Sequence, residues 1–181
     1  MRKMRVADTF QEQSHSTNQY DEFFSNMMKI CSGREIDNTL GEELKHYVSE
    51  WLKHNSLEDF NDYSDTAYSR TYIGRSAEGW EAIVMSWEQG NRTSVHSHPQ
   101  FAAYNFADGE FCVEIFEPTG EGRARLVETL EVKAPLLLYA VGKVGCFDNH
   151  IHRITCLSAT GHSLHIYSDD ALQGLTYEVE E

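Results

Sequence analysis

Basic residues are scarce in this chain: 15 lysines and arginines stand against 29 aspartates and glutamates, a formal net charge of −14. A deficit of that size argues against a nucleic-acid groove or an anionic membrane surface as partner, because both require a positive face. Long apolar runs are absent too, and nothing approaches the roughly 20 residues a membrane-crossing helix needs. The opening MRKMRVADTF carries charges where a secretory leader would have its apolar core, so a cytoplasmic location is expected. The four cysteines, Cys31, Cys112, Cys146 and Cys156, contain no C-x-x-C pair, which excludes the usual zinc-finger and redox spacings and predicts reduced thiols. Cys156 lies four residues past His152, so on a continuous strand it shares that residue's face. It either lines a cavity there or serves as a small buried hydrophobe.

The 181 residues suit one domain with a sizeable core. Residues 1–19 are polar and aperiodic, which predicts a loosely held arm ahead of a single domain over 20–181. Apolar spacings of three and four in YDEFFSNMMKICSG and TLGEELKHYVSEWLKHN predict two amphipathic helices, the first stopped by Gly33 and the second opened by a capping box of Thr39 and Glu42. A short third helix is expected from Ser56, with Asp59 three residues on, and the helical preface ends near residue 64. From residue 65 the pattern changes to short runs rich in β-branched and aromatic residues, such as GWEAIVMSW, EFCVEIFE and PLLLYAV, separated by Gly, Pro and Asp. Eight or more strands without intervening helices mean a sandwich or a barrel.

In GNRTSVHSHPQFAAYNFADG, five residues separate Gly90 from His96, and Gly109 closes the unit. Side chains two apart on a strand point to one face, so His96 and His98 can grip one ion while Val95 and Ser97 face away. This glycine-flanked His-x-His resembles the metal-binding strand of the cupins. The resemblance implies an all-β cupin jelly-roll barrel with an N-terminal segment of two to three helices, and a third imidazole from another strand. Four or five residues after His98, where most cupins add a glutamate, stand Ala102 and Ala103. A divalent ion held by three neutral imidazoles keeps its full double charge and open positions, which favours anionic guests such as a thiolate. For the third ligand HIHR offers both His150 and His152, and periodicity leaves the choice open. Further on, Ser163, His165 and Tyr167 alternate with Leu164 and Ile166, so three polar side chains share one face: either a barrel interior or an edge strand with a wet side.

From residue 68 to residue 168 the chain resembles the cysteine dioxygenases. The landmarks occur in order: YSR at 68–70, SWEQGNRTSVHSH at 86–98, HRI at 152–154 and SLHIYS at 163–168. In that family the ligating histidine directly precedes an arginine and an apolar residue, which selects His152 and leaves His150 a loop residue or a neighbour of the ligands. The resemblance implies Fe(II) held by His96, His98 and His152, with a small-molecule thiol and O2 as reactants. It also implies a substrate carboxylate bound by Arg70 beside Tyr68, and a Ser163-His165-Tyr167 relay with Trp87 close by. Arginine suits that role because its fixed donors match two carboxylate oxygens, as a lysine would not. The related mercaptopropionate dioxygenases carry glutamine at this place, so Arg70 points to L-cysteine and to cysteine sulfinate as product. The alternatives are another small thiol carboxylate, 3-mercaptopropionate or mercaptosuccinate, or a metal- or ligand-binding cupin without activity; three imidazoles also suit catalytic zinc. Two departures stand out. The cysteine that crosslinks to the relay tyrosine in animal members falls, by counting, at Ala103, so no thioether is expected. The family's Ser-Pro after that tyrosine is Ser168-Asp169 here.

Overall fold

The computed structural model describes residues 18–120 and 122–180, so residues 1–17 of the arm expected over 1–19 lie outside the described part. Helix α1 spans Asn18–Cys31 and helix α2 Asn38–Leu52. The first ends where expected: Ser32 N–H returns to Met28 O at 2.9 Å, and Gly33 takes φ +69°, a left-handed turn that a side chain would resist. The second is capped differently. Asp37, with extended backbone, accepts a hydrogen bond from Leu40 N–H at 2.9 Å, whereas Thr39 is already inside the helix, so the expected Thr39/Glu42 box does not form. Nor does a third helix form. Ser56 Oγ accepts from Glu58 N–H at 3.1 Å and Phe60 N–H donates to Leu57 O at 3.0 Å, closing a turn that leaves Leu57 and Phe60 buried. The serine satisfies the backbone locally and the chain stops there. The preface therefore holds two helices. Among the described residues no helix is long and apolar enough to cross a membrane.

Among the described residues ten strands follow: β1 Ser69–Arg75, β2 Glu81–Glu88, β3 His96–His98, β4 Phe101–Asp108, β5 Glu110–Gly120, β6 Arg123–Lys133, β7 Leu136–Val141, β8 Asn149–Cys156, β9 Thr160–Tyr167 and β10 Glu178–Val179. They form two five-stranded sheets, ordered β1-β2-β9-β4-β7 and β10-β6-β5-β8-β3. Strands β2 to β9 are divided between the sheets in jelly-roll order, β2-β9-β4-β7 facing β3-β8-β5-β6, with β5 and β6 the one consecutive pair in the same sheet, and all their pairings are antiparallel. This is the all-β cupin barrel that the His-x-His unit implied.

The two faces of the first sheet have different tasks. Outward, Ala82, Val84, Phe101, Ala103, Leu164 and Ile166 pack with Phe23, Met27, Leu40, Leu44 and Val48 of the helices. Each fully buried leucine or phenylalanine there contributes roughly 1.5–3 kcal/mol. Inward, Ile83, Met85, Trp87, Tyr104 and Phe106 meet Phe111, Val113, Ile154 and Cys156 from the opposite sheet. Strand β9 lies between β2 and β4, covered on both sides, which rules out the wet edge as an account of its three polar residues. Cys156, 1% exposed in the inner core, is the small buried hydrophobe of the two readings.

Candidate metal centre

Where β3 and β8 pair, His96 and His152 stand opposite each other, and His98 follows on the same face as His96. The three rings converge: one nitrogen from each of His96, His98 and His152 lies within 4.8 Å of the other two. Neighbouring carbonyls orient two of them. Ser94 O accepts from His96 Nδ1–H at 2.9 Å, and His150 O accepts from His98 Nδ1–H at 3.1 Å. A carbonyl can only accept, so both rings carry their proton on Nδ1 and their lone pair on Nε2. His98 Nε2 and His152 Nδ1 are buried without a hydrogen-bond partner. Buried polar atoms are ordinarily satisfied, and orphaned imidazole nitrogens in a three-ring cluster fit a divalent cation. His150 does not join them; its Nε2 meets Tyr104 OH at 2.5 Å. Among the described residues, no aspartate or glutamate lines the cavity in front of the cluster.

That cavity, about 30 Å³, is lined by the three histidines together with Tyr68, Arg70, His165 and Tyr167, while Ser163 lies directly behind His165. Arg70 enters from β1, 6% exposed, opposite Met85 of β2. Tyr68 stacks on Trp87 with ring centroids 4.5 Å apart. Trp87 Nε1–H donates to Ser163 Oγ at 2.9 Å, Ser163 Oγ meets His165 Nε2 at 2.7 Å, and His165 Nδ1 meets Tyr167 OH at 2.9 Å. One arrangement satisfies both links of the relay. Ser163 donates to His165 Nε2, His165 Nδ1–H donates to the tyrosine oxygen, and the Tyr167 hydroxyl hydrogen is left to point into the cavity. The Tyr167 ring lies parallel to His98 at 5.6 Å, which places it against the histidine cluster.

Three features escaped the sequence pattern. Ala171 and Leu172 close the cavity from a short 3₁₀ turn, and Ala171 N–H is held by the buried carboxylate of Glu81 at 3.3 Å. Ser97, between the two ligating positions, donates through Oγ to Phe147 O at 2.6 Å and accepts from Leu175 N–H at 3.0 Å, which ties the C-terminal segment to β3. Gly174 permits this approach, since a Cβ there would stand 2.0 Å from Ser97 O. Finally, Ala103 faces the helices; the residue opposite Tyr167 on the inner face is Ala102. Counting placed the crosslinking position one residue late, and both residues are alanine, so no thiol is present at either.

Burial lowers the pKa of His165 to about 3 and holds His98 and His152 well below the ordinary imidazole value. In the unfolded chain these rings titrate near 6.5. Above that pH both states are neutral and stability is complete; as pH falls below it, the unfolded chain takes up protons that the folded chain does not, and stability is lost. At pH 5 the His165 ring alone costs about 2 kcal/mol relative to pH 7.5, and His98 and His152 add to the loss in the same direction. Urea unfolding of the metal-free protein at the two pH values should register a clear loss at pH 5, and equal stabilities would contradict the buried neutral rings.

A family model described as cysteine dioxygenase type I matches residues 8–177. No curated protein matches the chain. Similar solved structures include a cupin superfamily protein from Desulfitobacterium hafniense, 14% identical over 63% of this chain and 88% of that one, with a TM-score of 0.47. Another is a protein with a double-stranded β-helix domain from Klebsiella pneumoniae, 15% identical over 68% of this chain and 90% of that one, with a TM-score of 0.49.

Proposed function

The chain belongs to the cysteine dioxygenase type I family, and from that premise we propose that it is a non-haem iron(II) thiol dioxygenase that oxidises L-cysteine to cysteine sulfinate. The observation that carries this reading is the placing of three imidazoles, with no carboxylate, and of Arg70 around one cavity. Bound through His96, His98 and His152, iron(II) would supply a dication that depresses the thiol pKa and brings sulfur and dioxygen together. Both oxygen atoms end on the sulfur, which gives up four electrons, so the reaction needs no external reductant.

The chain's own residues would orient and polarise. Arg70 offers its forked donors to the substrate carboxylate, and Tyr68, fixed by its stack on Trp87, borders the same end. Tyr167, with its hydroxyl hydrogen directed into the cavity by His165, donates to oxygen as negative charge develops there. The apolar wall of Met85, Ile154 and Leu172 limits water around the reacting thiol.

The test is anaerobic iron loading followed by oxygen-uptake measurements with L-cysteine, 3-mercaptopropionate, mercaptosuccinate and cysteamine. The expected result is one O2 consumed per sulfinate formed with L-cysteine, and no uptake without a thiol. Turnover confined to another thiol carboxylate would move the substrate assignment, and no uptake with any thiol would leave a metal- or ligand-binding cupin.

A further inference from the structure

Strands β3 and β8 are out of step at the metal cluster. His96 pairs with His152 and His98 with Asn149, so two steps on β3 are matched by three on β8, and one extra residue is inserted between the pairs. This bulge contains His150, which has φ +47° and is the one residue other than glycine with positive φ among the described residues. Bulges that require a left-handed residue ordinarily use glycine, since a side chain there is strained. Here an imidazole occupies the position, and it is tethered. Its Nε2 and the hydroxyl of Tyr104 on β4 are 2.5 Å apart, and the two rings stack at 5.4 Å. The Tyr104 ring also meets His152 edge-on at 4.7 Å.

The bulge has a consequence for His98. The extra residue turns two consecutive carbonyls toward one ring, Asn149 O at 3.4 Å and His150 O at 3.1 Å from His98 Nδ1. We propose that His150 is a positioning residue of the metal centre: its bond to Tyr104 holds the left-handed bulge, and the bulge holds His98 as the Nδ1–H tautomer with Nε2 toward the ion. The imidazole acts through its own backbone carbonyl and does not ligate. Outer partners that fix a ligand's tautomer commonly change metal affinity about 10- to 100-fold when removed. This inference rests on the metal-site reading given above, though not on the identity of the thiol.

Three variants separate the tether from the strain. Tyr104→Phe keeps the aromatic packing and deletes the hydroxyl; His150→Ala deletes the tether and keeps the strained φ, whereas His150→Gly removes the strain. Anaerobic Co(II) titration followed by visible absorption should show affinity falling about 10- to 100-fold in Tyr104→Phe and His150→Ala, and less in His150→Gly. In metal-free protein, ¹⁵N NMR of the histidine rings should show His98 as a single Nδ1–H tautomer in the wild type and as a mixture in Tyr104→Phe. Neither readout depends on turnover. A wild type that binds Co(II) and loses affinity in these variants supports the role of His150 even if no thiol is oxidised. Wild-type affinity and an unchanged tautomer in both Tyr104→Phe and His150→Ala would overturn it, and a wild type that binds no Co(II) would overturn the metal reading along with it.

Discussion

His152→Leu is expected to abolish iron binding while leaving the metal-free protein at least as stable as the wild type. The ring is 1% exposed, and its Nδ1 is buried with no hydrogen-bond partner. A buried polar group left unsatisfied costs roughly 1–3 kcal/mol, so replacing it with an apolar side chain of similar volume removes a penalty from the empty site. For metal binding the sign is opposite: a cluster of three becomes a pair, and the loss should exceed the roughly 10- to 100-fold expected from removing an outer partner. A structural histidine would behave in the other way, with its loss lowering stability and leaving metal content untouched. Metal content after iron loading, together with urea unfolding of the apoprotein, checks both halves. The exposed His46 and His54 of the preface, changed to alanine, serve as controls that should alter neither. Full metal occupancy in His152→Leu would remove the residue from the cluster.

What was legible in the sequence was whatever depends on short-range period. The alternation through Ser163, His165 and Tyr167 survives because β9 runs straight between two partners, and the spacings of three and four in α1 and α2 survive because the sheet supplies an apolar surface for them. Phase was lost wherever the strand breaks. Pro99 and Gln100 interrupt the path from β3 to β4, so counting from His98 put Ala103 opposite the tyrosine, where the structure has Ala102. The same limit hid the bulge at His150: an inserted residue is visible only against the partner strand. Asp37 in place of Thr39 is a competition between two adjacent capping side chains, and local pattern does not decide it. Ala171 and Leu172 reach the cavity only because Ser97 and Glu81 hold the C-terminal segment against the barrel, contacts that span more than seventy residues of chain.

Arg70→Ala should lower kcat/KM for L-cysteine by roughly 100-fold, which corresponds to about 3 kcal/mol for the loss of a charged, two-pronged contact. The effect should depend on the substrate. Cysteamine has the same thiol and amine as cysteine but no carboxylate, so its turnover, however slow, should be indifferent to the substitution. Arg70→Lys supplies the charge without the fork and should recover only part of the loss, because an ammonium cannot hold two carboxylate oxygens in a fixed plane. The geometry favours this division of labour. Arg70 and Tyr68 share the inner face at the start of β1, Tyr68 is pinned by Trp87, and the same tryptophan donates to Ser163 at the head of the relay. In the proposed reading, carboxylate binding and the orientation of Tyr167 would thus share one rigid side chain, and a substrate seated on Arg70 would present its sulfur to the histidine cluster beside the tyrosine hydroxyl. Steady-state kinetics across the thiol panel measures each part. Equal losses for cysteine and cysteamine in Arg70→Ala would mean that the guanidinium supports the barrel wall, and the carboxylate would then need another partner.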